Sequence, residues 1–284
     1  MIYYQMNKCM KYIFLVSLVC LFFGCSKSKP QRVESIKSPY FNYDWATDKI
    51  WEDGKAEVAH YNAEMVIYGK LRYFDNVFIT VKEEFNEEWN VKTNDYNRSD
   101  LFSVMKVNKF ARIETENYPY HYLTSLFFKR ESPTELYKMT HTGQEWCGNT
   151  FKQFLLNNDH YEYDYNSYFD GSGDGEMQIA ERNLLWEDQL SYALRALKFE
   201  DKLSFEYRVV ESQLNTKVRK PNIYQAEFLV SEESSNWKVE VQLDGEKMNE
   251  YLFEKDYPNI LLKQTSWNGY NLKLDSVSRY QYWR

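Results

Sequence analysis

The chain has 284 residues, a net charge of −7 and 18% aromatic residues, 25 of them tyrosine. An acidic chain with no run of Lys and Arg offers little to a phosphate backbone, which excludes nucleic acid as a partner. Ten glycines and six prolines exclude a low-complexity chain, and the length suits one large domain or two small ones.

Residues 1–24 carry Lys8 and Lys11 and no acidic residue, and Tyr12 to Gly24 (YIFLVSLVCLFFG) is an apolar run of 13 residues. A transmembrane helix needs roughly 20; the run fits the apolar core of a secretory signal, ~7–15 residues after a basic start. Translation from Met6 or Met10 leaves that signal complete. At the junction LFFGCSKS, small Gly24 precedes Cys25 and apolar Leu21, Phe22 and Phe23 stand upstream. This resembles a bacterial lipobox, in which the cysteine is acylated and becomes the mature N-terminus; Phe22 stands where such signals usually have leucine. Residues 1–24 are therefore expected to be a lipoprotein signal peptide. Cys25 is expected to carry lipid at the head of a flexible tether over residues 25–44, and residues 45–284 to form a β-rich globular domain. Two or more acyl chains hold a protein stably on a bilayer. Lys27 and Lys29 follow Cys25, where some surface-exposed lipoproteins of the Bacteroidota carry an acidic run. The expected location is the periplasmic side of the outer membrane.

Short alternating runs then dominate: KAEVAHY, NVFITVKEEF (76–85), FSVMKVNKFARIET (102–115), YLTSLFFKR (122–130), LYKMTHTGQEWCGNTFKQF (136–154) and YEYDYNSYF (161–169). Residues 86–100 read as a polar connection. Alternation with polar turns predicts antiparallel strands. One helix stands out in LLWEDQLSYALRALKF, where Leu190, Ala193, Leu194 and Leu197 share a face. Arg195 and Lys198 sit near its end, where the helix dipole favours cations. Strands resume with KLSFEYRVVES (202–212) and WKVEVQL (237–243). Asp244-Gly245 and Asn268-Gly269 mark tight turns in a closing meander. Its apolar face must be covered by a sheet or by the helix.

Candidate chemistry is sparse. DGSGDGEMQIAE (170–181) matches a calcium-loop pattern in which Asp170, Ser172, Asp174 and Glu181 supply oxygens and Gly175 the sharp turn. An alternating strand precedes it where a calcium hand needs a helix, so a polar hairpin loop is the expected structure and no metal is expected. His60, His121, His141 and His160 form no close metal pair, and Cys147 has no CxxC partner. His141 and Cys147 share a face of an extended strand but lie ~20 Å apart, so a dyad needs a hairpin between them. The acidic pairs Glu83-Glu84 and Glu187-Asp188 read as solvated faces, and no catalytic residue is assigned. In an oxidising envelope Cys9 and Cys20 leave with the signal and Cys25 is acylated. Cys147 is then unpaired and is expected to be buried, structural and inert to thiol reagents.

AEVAHYNAEMVIYGKLRYFDNVFITVKEEFN, VMKVNKFARIETENYPYHYLTSLFFKR, QEWCGNTFKQF and DQLSYALRALKF resemble an uncharacterised lipoprotein family of the Bacteroidota. Some members carry the name septum formation inhibitor Maf. True Maf proteins are cytoplasmic nucleotide pyrophosphatases with an N-terminal Ser/Arg-rich motif, which this chain lacks, so that activity is not carried over. The resemblance implies an envelope lipoprotein and adds no catalytic residue.

The expected fold is mainly β: curved antiparallel sheets, half-barrel-like, with at least one covering helix. The expected function is that of an outer-membrane-anchored, non-catalytic envelope lipoprotein without a cofactor. Its partners are the membrane, through the lipid, and an apolar small molecule or an envelope protein held in the sheet's concavity. The alternatives are an envelope hydrolase with converging carboxylates and a calcium-stabilised structural module.

Overall fold

A computed structural model describes residues 37–179 and 181–284. The expected signal peptide, Cys25 and the tether as far as residue 36 lie outside the described residues. The domain begins before the expected boundary at Trp45. Phe41 is buried and bridges to Leu197, and Tyr40 stacks on Phe205 at 4.6 Å. Rings packed this closely belong to the core, so the end of the expected tether is part of the domain.

The strands form one curved sheet that does not close. Its first half runs β1 (Ala56–Ile67), β2 (Lys70–Asn86), β3 (Val91–Lys92), β4 (Leu101–Ile113), β5 (Tyr120–Lys129), β6 (Leu136–Glu145), β7 (Gly148–Asn157), β8 (His160–Ser167) and β9 (Asp174–Ile179). β3 is a side strand on β2, inside the connection expected to be irregular. Then come β10 (Leu185–Trp186), helix α1 (Glu187–Ala193) and a 3₁₀ turn (Leu194–Ala196). The second half is β11 (Ser204–Val210), β12 (Ile223–Glu233), β13 (Asn236–Leu243), β14 (Lys247–Glu254), β15 (Leu261–Thr265) and β16 (Asn271–Tyr280). The last strand pairs with the first, from Ala56 opposite Tyr280 to Glu64 opposite Asn271. This joins the two meanders into one sheet with β9 at one edge and β10 at the other. Among the described residues only the short β10–β11 ladder is parallel.

That topology explains the position of the helix. β9 and β10 are close in sequence but lie at opposite edges, so the chain must cross the sheet, and it crosses on the concave side. Trp186 packs against Phe154 and Tyr161 at 4.7 and 5.3 Å. Tyr192 stacks on Phe128 at 4.5 Å, and Glu187 reaches Asn249 of β14. The helix expected to show one apolar face is therefore buried all round, including Gln189, Ser191 and Tyr192. Polar groups in such a position need partners; the Gln189 side-chain amide donates to the Thr134 carbonyl at 2.8 Å, whereas the Tyr192 hydroxyl has no protein partner among the described residues. Arg195, expected to answer the helix dipole, is buried in an ion pair with Glu57 instead.

Strand alternation sorts the side chains. Ala59, Tyr61, Ala63, Phe74 and Phe78 enter the main core with α1, whereas Ala56, Val58 and Val81 form a small second cluster on the opposite face.

The run expected over 136–154 breaks into β6 and β7 at a two-residue turn, Trp146-Cys147. This overturns the expected burial of Cys147, which is exposed, as is Trp146. The physical reason is the tight hairpin. Glu145 pairs with Gly148, so the two residues between them project beyond the ladder. The Cys147 Sγ lies 3.5 Å from the Tyr118 hydroxyl. Native full-length protein is expected to react with DTNB at Cys147 without denaturant. Cys147→Ser should remove that reaction and change stability by less than about 0.5 kcal/mol. Resistance of the native thiol would contradict the exposed position.

Candidate functional site

The first turn of α1 carries Glu187 and Asp188, and neither caps the helix. Their carboxylates hold the connection between β11 and β12, residues 211–222, as a strap. Glu187 Oε2 accepts the Ser212 amide at 3.0 Å; Asp188 accepts the Ser212 hydroxyl and the Gln213 amide, both at 2.7 Å. Glu187 Oε1 accepts from Asn249 at 2.9 Å and from the Trp267 indole at 3.0 Å. From the other side, Lys152 Nζ donates to the Gln213 carbonyl at 3.2 Å and to Asn215 at 3.1 Å. The strap presses on β6 where only glycine fits: a Cβ on Gly143 would lie 2.8 Å from Thr216 Cγ2 and 3.0 Å from the Tyr122 ring.

Beneath the strap lies a polar chamber of about 30 Å³, lined in part by Asn76, Lys109, Asp188, Tyr251, Gln264 and Tyr270. That is room for about one or two water molecules. Lys109 Nζ donates to the Asp188 carbonyl and to the Ser191 hydroxyl, and stands 4.6 Å from the centre of the Phe78 ring. Burial pushes its ammonium down to about 8. The Asn76 amide donates to the Tyr270 hydroxyl at 2.6 Å, while its buried Oδ1 has no protein partner among the described residues. Lys152 is fully buried and is likewise pushed down to about 8 by burial. Burial also raises Glu187 above the ordinary carboxylate value, against the lowering effect of its three donors.

Outside the strap is a cleft of about 280 Å³ whose walls include Met65, Leu214, Trp267, Lys217 and Arg219. Glu187, Ser212, Leu214 and Asn268 line both the cleft and the chamber. The strap thus stands between the open, partly apolar cleft and a narrower polar chamber.

The expected candidates do not converge on this site. His141 is buried on β6, bonded to the Thr124 hydroxyl at 2.8 Å and pushed down to about 3 by burial, so it stays neutral. Cys147 sits at the β6–β7 turn, so the two form no dyad. His60 is exposed, His121 lies on β5, and His160 faces Asp159 at 3.0 Å.

The calcium-loop residues are also dispersed. Asp170 and Ser172 belong to the β8–β9 turn, where Asp170 accepts the Gly171 amide. Asp174 starts β9 and pairs with Asn166, and Glu181 pairs with Arg208. From Asp174 on, β9 is extended, so the chain does not curl around a cation. Gly175 makes no sharp turn; a Cβ there would run into the Tyr165 ring opposite, and this packing accounts for the glycine. Among the described residues no three His, Cys, Asp or Glu side chains gather as metal ligands.

The groups that do gather were not singled out in the sequence. Glu187 and Asp188 were read as solvated, and Lys109 and Lys152 were passed over. Both lysines stand in the inward phase of their strands, Lys109 between Val107 and Ala111 and Lys152 between Thr150 and Phe154. A lysine in an apolar row was the available signal.

Two carboxylates set across a cleft are what a hydrolase would require. Here all four of their oxygens accept hydrogen bonds from the protein, and the two residues are consecutive on one helical turn rather than opposed across a substrate. Their work is to hold the strap.

No protein-family model matches the chain, and no curated protein matches it. The chain is similar to the crystal structure of a DUF1089-family protein from Pseudomonas aeruginosa, with a TM-score of 0.38 and 12% identity over 55% of this chain and 82% of that one. The likeness is too slight to define this chain's fold or function. No helix among the described residues is long and apolar enough to cross a membrane.

Proposed function

We propose that this chain is an envelope lipoprotein, acylated at Cys25 and held at the periplasmic side of the outer membrane, and that its domain binds a ligand without transforming it. The observation that carries the binding reading is the cleft beside the strap. Its walls combine Met65, Leu214 and Trp267 with Asn268, Lys217 and Arg219. Three apolar residues share this lining with eight polar or charged ones, Glu211 pairing with Arg219 among them, and a small-molecule site joins an apolar surface to placed polar groups. An apolar ligand or a partner protein was expected in the concavity, on whose side α1 packs into the main core. An amphipathic ligand suits the cleft better, with its apolar part on Leu214 and Trp267 and its polar part towards Asn268 and Arg219. The engaged carboxylates of Glu187 and Asp188 support the non-catalytic reading over a hydrolase.

Two measurements test this. Cys25→Ala should move the protein from the membrane to the soluble periplasmic fraction and abolish labelling by a palmitate analogue; retained label would refute the anchor. Native mass spectrometry of full-length protein purified in detergent should find a co-purified small molecule. Leu214→Trp, which fills the cleft, should lose it while keeping the circular dichroism of the parent. A bound molecule unaffected by Leu214→Trp, or none in either protein, would refute the cleft as the site.

A further inference from the structure

The fold assembles a basic surface that the linear sequence does not show. Next to the cluster of Ala56, Val58 and Val81, and bounded also by Trp51 of the main core, lies a groove of about 450 Å³. This is larger than the cleft beside the strap and within the usual range of small-molecule sites. β2 and β4 bring Glu83 and Lys106 to its floor, the loop after β3 brings Tyr96, and the C-terminal segment brings Tyr282 and Trp283.

Its charges do not balance. Glu83 takes Lys106 at 2.6 Å and Lys92 at 3.4 Å. Glu52 takes Lys82 at 2.7 Å and Arg130 at 2.6 Å. Four lysines, Lys55, Lys82, Lys92 and Lys106, thus line the groove against two glutamates, Glu52 and Glu83, and Glu84 adds a contact to Lys82 at 3.8 Å. This local excess of positive charge sits on a chain whose net charge is −7. The aromatic residues beside it are open to solvent: Tyr96 is 67% exposed and Trp283 51%, with the Tyr282 and Trp283 rings edge to face at 5.0 Å. Exposed rings gathered in a concavity mark an interaction site.

We propose that this groove binds an acidic saccharide of one or two rings. The C–H faces of a pyranose stack on flat aromatic rings such as Trp283 and Tyr96. Its hydroxyls exchange hydrogen bonds with the shared carboxylates Glu83 and Glu52. Its carboxylate or phosphate forms charge-assisted hydrogen bonds with the lining lysines, which outnumber the lining glutamates. A flat anionic surface does not fit, because it would reach the rim and leave the floor at Lys106 and Val81 uncovered. The site is separate from the cleft beside the strap and does not depend on it.

The test is calorimetric titration of full-length protein in detergent at low salt with digalacturonate. Its neutral counterpart galactobiose and inorganic phosphate serve as controls. Saturable digalacturonate binding is expected, weakened about tenfold or more by Trp283→Ala and by Lys92→Glu, and weakened by added salt. Galactobiose is expected to bind about tenfold more weakly, because it lacks the charge. Leu214→Trp should leave digalacturonate binding unchanged, which separates this site from the cleft. Absence of saturable digalacturonate binding would overturn the proposal. So would equal binding of inorganic phosphate that survives Trp283→Ala, because that would describe a simple anion patch.

Discussion

Glu57→Ala is expected to destabilise the domain by about 3–5 kcal/mol, the cost of breaking a buried ion pair by removing one partner. Arg195 meets Glu57 in a two-pronged contact, Nη1 to Oε1 at 2.7 Å and Nη2 to Oε2 at 2.9 Å, and its Nε donates to the Pro258 carbonyl at 3.0 Å. Both side chains are 5% exposed. The guanidinium also lies 5.0 Å from the centre of the Trp45 ring. Without Glu57 the charge stays enclosed among aromatic rings with one carbonyl to satisfy it. The pair fastens the turn after α1 to β1, the strand that joins the two halves of the sheet. Guanidinium chloride unfolding measures the loss. Replacing both partners with apolar residues, Glu57→Leu with Arg195→Met, should recover most of it, because no unpaired charge is then buried. A loss below about 1 kcal/mol for Glu57→Ala would mean that water reaches the guanidinium, and that the pair is not the buried lock described above.

The same pair shows what the sequence could tell. The strands and tight turns were legible because alternation and Asp-Gly or Asn-Gly signals are local properties. WKVEVQL became β13, and Asp244-Gly245 became its turn with both residues at positive φ. What was not legible depends on distant pairing. That β16 closes onto β1 is decided by two strands at opposite ends of the domain, and once it does, the chain between β9 and β11 is forced through the concave side. This crossing turned Glu187 and Asp188 from surface acids into latches. It also changed Arg195 from a helix-end cation into a buried ion pair. Yet the inward phase was written in the strands. Lys109, His141 and Lys152 all occupy positions where neighbours two residues away are buried. A polar residue out of phase was the trace of the interior site. Cys147 differs for the opposite reason: alternation runs on through residues 136–154, but a two-residue turn at Trp146-Cys147 reverses the chain.

Stability is expected to rise with pH between about 8 and 9.5, and Lys152 to be a principal cause. Burial brings its folded-state value from 10.5 to about 8, so the fold carries a penalty for enclosing the ammonium. Below pH 8 the group is charged in both states and the penalty is fully present. As pH rises from 8 towards 10.5, the folded lysine loses its proton while the unfolded one keeps it. The unfolded state then binds more protons, and the free energy of unfolding increases. The full displacement corresponds to about 3 kcal/mol, of which about 2 kcal/mol should appear by pH 9.5. Lys109, displaced in the same direction by burial, adds a smaller rise because it keeps some surface in the chamber. Above about pH 10 the buried tyrosines oppose the trend: burial raises Tyr61 and Tyr192, so the unfolded chain ionises first. Lys152→Met keeps the volume and removes the charge. Its unfolding free energy should lack most of the rise between pH 7.5 and 9.5 seen in the parent. Because the methionine also releases Gln213 and Asn215, hydrogen exchange in residues 211–222 should accelerate in the variant at both pH values. Equal pH slopes in parent and variant would mean that Lys152 titrates as a solvated lysine, and that the strap does not seal the interior.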